Sequence, residues 1–201
     1  AMVAPICVNH ASGVYGDAAI AGMSIVSRIM MFVNSALIGF GQGFQPVCGF
    51  NYGAKKYKRV LDAFFFCIKV AFFCLTGVAV IVFVFAPGLV TIFRKDDLDV
   101  IRVGTAALRY SIVVLPLSSW IIMCNMMLQS IGKGLKASIV ASARQGIFFL
   151  PLIAILPYFF GLTGVEICQA VSDIFALTAS IPLGVSVIKE MKRDETEAPL
   201  D

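Results

Sequence analysis

Residues 39–59, GFGQGFQPVCGFNYGAKKYKR, open on glycines, two glutamines and a proline and end in a cationic cluster. The amides of Gln42 and Gln45 can donate and accept hydrogen bonds. Pro46 has no backbone N–H, so in a helix the carbonyl of Gln42 loses its usual partner. Asp173 is the one charged residue between Ile167 and Ile188. A carboxylate in such surroundings can hold a proton or a cation, or act as a hydrogen-bonded structural group. These residue types suit a polar passage and the binding of small cations. They do not assemble a catalytic unit. The single histidine, His10, has no serine, cysteine or acid at informative spacing, and no Walker, dinucleotide-binding or HExxH motif occurs. The six cysteines form no CxxC pair and read as small buried hydrophobes. We expect no enzyme, no metal site and no cofactor.

Those side chains must be carried by membrane helices. The chain is 59% hydrophobic and 14% charged, with a mean hydropathy of +0.92, whereas soluble domains carry about 25% charged residues. A helix crosses the hydrocarbon core in about 20 residues. Runs 70–93, 110–132 and 145–165 contain no charge; 18–48 contains only Arg28. The expected fold is therefore all-α, a polytopic bundle over 1–193 of about five full spans. They lie roughly at 18–48, 63–93, 104–132, 140–161 and 167–188, followed by a cytoplasmic tail at 194–201. The first ten residues, AMVAPICVNH, are apolar, too short to span, and lack the basic start of a signal peptide. They read as the end of a truncated earlier helix, and the chain as a fragment.

Linker charge sets the orientation. Lys55, Lys56, Lys58 and Arg59, then Lys133 and Lys136, then Lys189, Lys192 and Arg193 fall in alternate linkers, and the intervening ones are acidic or mixed. Basic loops favour the cytoplasm, which puts all three clusters and the carboxy terminus inside. A net charge of +4 confined to short loops presents no basic face for nucleic acid.

Within the first span, Asn34, Gly41, Gln42 and Gln45 share roughly one face, and Ser35, Gly39 and Gly43 form a small-residue stripe that suits close helix packing. Around Pro46, a water-accessible cavity and a structural kink both fit. Asn125 and Gln129, four apart, suit either interhelical hydrogen bonding or cavity lining. Arg28, Lys69, Arg109 and Arg144 are expected to snorkel to the interfaces, and Glu166 to sit at the outer one.

Three stretches carry a family resemblance. GFGQGFQPVCGFNYGAKKYKRV, then ARQGIFFLPLIAILPYFFGLTGVEICQAVSD at 143–173, and VNHASGVYGDAAIAGMSIVSRI at 8–29 resemble the carboxy-terminal half of bacterial MATE (multidrug and toxic compound extrusion) transporters. The resemblance implies a secondary antiporter of the bacterial inner membrane. It would export organic cations, drugs or metabolites in exchange for Na⁺ or H⁺, with a missing amino-terminal bundle as its partner. Carried over, Gln42, Gln45 and Pro46 fall on the eighth family helix, Asn51 and Tyr52 at its exit, and Asp173 matches an acid frequent in the twelfth. The tenth-helix run, 110–132, has no carboxylate, unlike one branch of the family, so the coupling ion is not assigned. An uncoupled channel or facilitator is the alternative.

Overall fold

A computed structural model describes residues 12–13, 16–94 and 97–197. The reading of the first ten residues, His10 and residues 198–201 lie outside the described residues. Everything described in regular structure is helical. Helix α1 runs Asp17–Gly53 and α2 runs Tyr57–Phe93. Helix α3, Leu98–Val114, passes through a 3₁₀ turn, Leu115–Leu117, into α4, Ser118–Ser130. Helix α5, Gly134–Ser142, enters a π-helical turn, Ala143–Ile147, and continues as α6, Phe149–Phe160. Helix α7 spans Leu162–Glu197.

Four of the five expected spans are, among the described residues, helices long and apolar enough to cross a membrane: α1, α2, α3 with α4, and α7. The expected span at 140–161 differs. It is assembled from α5, the π turn and the shorter apolar α6. Phe148 N–H bonds the Ala143 carbonyl at 3.3 Å, five residues back, which is the π signature. Pro151 lies in the first turn of α6, where a missing N–H costs nothing. It would break a helix that ran on uninterrupted from α5. The third span is similarly tightened where Pro116 occupies the 3₁₀ turn. Helix α7 continues to Glu197, so the first part of the expected tail is helical.

Apolar residues recur along α2 at helical spacing, and one side buries Phe64, Ala71, Leu75, Val82, Ala86 and Val90. The other side leaves Phe66, Phe73, Val80, Ile81, Val84 and Phe85 exposed. An apolar strip of that length facing outward matches the thickness of a bilayer's hydrocarbon core. Inside, Phe64 stacks edge-on against Trp120 at 5.7 Å and tilts against Phe44 at 6.3 Å, joining α2, α4 and α1.

Glycines of α1 allow close crossings, but not the ones the stripe suggested. Gly39 and Gly43 have open space where a Cβ would stand, so the stripe with Ser35 points away from the described bundle. Gly41 instead meets Met126 and Met123, and Gly22 meets the backbone of Gly104. A Cβ on Gly22 would lie 3.1 Å from the Gly104 nitrogen. Overpacking of this kind costs about 1–3 kcal/mol. Gly22→Leu should therefore lower the melting temperature of the solubilised protein, while Gly39→Leu leaves it unchanged. Equal melting for both variants would contradict the α1–α3 crossing.

Two of the three basic clusters meet at one end of the bundle. Lys133, in the α4–α5 linker, is ion-paired with Glu190 near the end of α7. Gly49, near the end of α1, faces the carbonyl of Ser130 at the end of α4. Alternating helices thus bring the basic linkers to a common face.

Candidate functional site

Polar residues of the spans form two networks, one ionic and buried and one of amides that reaches the exposed Gln129. The ionic network is built on Asp173, which α7 turns inward and buries to 4% side-chain exposure. Its partner is Arg144, presented by the π turn and itself 13% exposed. Arg144 Nε donates to Asp173 Oδ1 at 2.9 Å, and Nη2 reaches Oδ2 at 3.5 Å. This is a fork on a carboxylate, the geometry that guanidinium favours. Nη2 also approaches Asn34 Oδ1 at 3.3 Å and Ser118 Oγ at 3.4 Å. Gln169 Nε2 donates to Asp173 Oδ1 at 3.2 Å, and Ser172 Oγ donates to the Arg144 carbonyl at 2.9 Å.

Four elements therefore converge on one charge pair: α1 through Asn34, the start of α4 through Ser118, the π turn through Arg144, and α7 through Asp173. Asp173 lies eleven residues into α7, about 16 Å along its axis. Charges at that depth persist only when paired and hydrogen-bonded. The π turn is what aims Arg144 inward. Inserting an extra residue into a helical turn re-registers the side chains that follow, and such turns gather at functional positions.

The expectation that Arg144 snorkels to an interface is therefore corrected. Its guanidinium stays in the bundle because a buried carboxylate waits there, and pairing outweighs exposure. Glu166, expected at the outer interface, lies near the start of α7 and packs inward, 6% exposed. Arg28 and Lys69 are exposed. Arg109 lies with its guanidinium carbon 5.1 Å over the Phe83 ring, a cation–π placement.

The amide network joins α1, α4 and α5. Gln45 Nε2 reaches Gln129 Oε1 at 3.4 Å and Met126 Sδ at 3.1 Å. Gln129 Nε2 donates to Asn125 Oδ1, and Asn125 Nδ2 donates to the Ala137 carbonyl at 3.1 Å. Asn125 and Gln129 thus do both things their spacing allowed. They tie helices together, and Asn125 also lines a cavity of about 190 Å³ with Arg144.

The remaining candidates stand apart. Gln42 is exposed where Gln45, three residues on, is half-buried, and Pro46 is exposed beside it, with α1 continuing through it to Gly53. Of the four residues expected to share roughly one face, Asn34, Gly41 and Gln45 are covered by the bundle, and Gln42 lies at the exposed margin. Asn34 donates to the Met30 carbonyl at 2.9 Å as well as accepting from Arg144. Asn51 bonds the Val47 carbonyl at 2.8 Å. Tyr52 packs edge-on against Tyr57 at 5.5 Å, closing the turn between α1 and α2. No cluster of three or more His, Cys, Asp or Glu suited to a metal occurs among the described residues.

Sequence reasoning missed Arg144, Ser118, Gln169 and Ser172 as members of the site. A usable signal existed for the first. Arg144 and Asp173 are opposite charges beside or within apolar runs, and two such charges are stabilised most by meeting.

Comparison with known proteins identifies the family and the fold. The MatE family profile matches residues 3–155. Multidrug export protein MepA of Staphylococcus aureus strain MSSA476 is 32% identical over 154 residues, which is 75% of this chain and 33% of that protein. MepA of Staphylococcus haemolyticus strain JCSC1435 is 30% identical over 166 residues, covering 81% of this chain and 35% of that one. The chain spans about a third of the length of these relatives. Among solved structures, an outward-facing multidrug-resistance MATE transporter of the MOP superfamily superposes with a TM-score of 0.88. That match covers 95% of this chain and 43% of the other at 24% identity, a likeness of fold. A MOP-superfamily transporter from Pyrococcus furiosus gives a TM-score of 0.87 at 25% identity, over 94% of this chain and 43% of that one.

Proposed function

The chain belongs to the MatE family, and from that premise we propose that it is one bundle of a two-bundle efflux antiporter. Its role is transport, not catalysis. Amphiphilic organic cations, drugs or metabolites leave between this bundle and an amino-terminal one, in exchange for inward Na⁺ or H⁺. The basic linkers and the carboxy terminus face the cytoplasm of a bacterial cell.

The observation that carries this reading is the Arg144–Asp173 pair with its hydrogen-bond partners on four elements. An antiporter needs a group that binds its ion in one state and is otherwise satisfied in the other. A buried carboxylate cannot be left bare. Asp173 meets both needs if the coupling cation or proton and Arg144 take turns on it. When the cation holds Asp173, Arg144 is released, and with it the ties from the π turn to Asn34 and Ser118. The two short helices flanking the π turn are then free to shift against α1 and α4, the kind of small repacking that alternates access between bundles. No further cofactor is required.

The test is dye transport by the full-length transporter in proteoliposomes, with a Na⁺ gradient and a pH gradient imposed one at a time. Ethidium movement should follow at least one gradient and reverse with its direction. Movement indifferent to both would replace the antiporter with an uncoupled facilitator.

A further inference from the structure

The cavity of about 190 Å³ between α1, α4 and α5 has an uneven lining. Ile38, Ile122, Met126 and Val140 make its walls, and Asn125 and Arg144 are polar groups in them. The guanidinium is only partly spent. Its side-chain hydrogen bonds to described residues leave from Nε and Nη2. Nη1, with two more donors, bonds no described residue. Ala141, also in the lining, is exposed, so the cavity has a way in at the bundle surface.

We propose that this cavity is a subsite for a single-ring apolar group carrying a carboxylate, with the carboxylate on Arg144 Nη1 and the ring against Ile38, Ile122 and Val140. Three observations converge. The volume is enough for one ring, since a closed cavity of about 150 Å³ accepts benzene, and this one opens to the surface past Ile38 and Ala141. The donors are fixed before any ligand arrives, because Asp173, Asn34 and Ser118 already hold the far edge of the guanidinium, and preorganised donors bind without a further ordering cost. In this state Asp173 occupies Nε and Nη2 of the guanidinium, which leaves Nη1 for the ligand. A ligand ammonium would meet only N–H donors on Arg144 and is disfavoured there.

The inference rests on the transport reading for its purpose: amphiphiles that bear a carboxylate, zwitterions included, would be substrates of this bundle. The binding itself does not depend on that reading.

Titration calorimetry on the full-length transporter in detergent, with 4-tert-butylbenzoate, 4-tert-butylbenzamide and 4-tert-butylbenzylamine, tests it. The benzoate should bind saturably and at least tenfold tighter than the amine, with the amide between them. Ala141→Leu, which fills the cavity from its exposed wall, should weaken the benzoate at least tenfold. Val80→Leu on the lipid-facing side of α2 serves as the folded control and should bind as the parent does. Benzylamine binding as tight as benzoate overturns the role of Arg144. Benzoate binding unchanged by Ala141→Leu overturns the site. Absence of saturable binding up to millimolar benzoate overturns the proposal entirely. Binding as expected in a protein that moves no dye would uphold the subsite and sink the transport reading alone.

Discussion

Arg144→Leu should destabilise the bundle by roughly 3–5 kcal/mol, the cost of stripping one partner from a buried ion pair. Asp173 would be left 4% exposed with no cation facing it. Gln169 donates one hydrogen bond to it, too little to replace a guanidinium fork. The loss should spread beyond the pair, because Arg144 also reaches Asn34 on α1 and Ser118 on α4. Adding Asp173→Leu should recover most of the stability, since replacing both members of a buried pair by apolar groups is often neutral or better. Unfolding of the purified protein, followed as denaturant rises, gives both numbers. A single variant as stable as the parent would mean that the pair is not closed in the membrane. A double variant as weak as the single would shift the cause from the stranded carboxylate to lost packing.

Asp173→Asn should cut gradient-driven ethidium efflux by about tenfold or more per molecule inserted, the factor that 1.4 kcal/mol of lost ion binding represents. The amide keeps the size of the carboxylate and can still accept from Arg144 and Gln169. What it loses is the charge that a Na⁺ ion or proton would claim. Arg144 loses its counter-charge as well, so less protein should insert; the expected signature, counted per molecule inserted, is a protein that binds dye and no longer responds to the gradient. Parent rates in this variant would make Asp173 a purely structural partner of Arg144. Gln45→Leu offers a contrast. Its amide lies in the other network, so gradient response should survive even where overall turnover falls.

Much of the architecture was legible because a bilayer imposes it. Uncharged runs long enough to cross marked α2 and the α3–α4 span, and a run broken only by Asp173 marked most of α7. Alternating basic linkers agreed with a topology that the Lys133–Glu190 pair now supports at one end. The site was legible in part. Asn34, Gln45, Asn125, Gln129 and Asp173 were singled out because polar groups in apolar helices need partners, and partners on neighbouring elements were found for each. The rest failed for local reasons. Helical spacing cannot foresee a π turn, so Arg144 was placed by its distance from the run's edge rather than by the direction the turn gives it. The Ser35, Gly39, Gly43 stripe had the right spacing for close packing, yet in α1 the close approaches are made by Gly41 and Gly22. Which glycine faces a neighbour depends on helix rotation, and hydropathy barely constrains rotation when both faces are apolar.

The central claim is that this bundle works only with a second one. Ethidium efflux from cells producing residues 1–201 alone, beside cells producing the same residues joined to an amino-terminal MATE bundle, tests it most directly. The account predicts that inserted residues 1–201 leave dye retention unchanged while the joined protein expels dye. Efflux by residues 1–201 alone would contradict it.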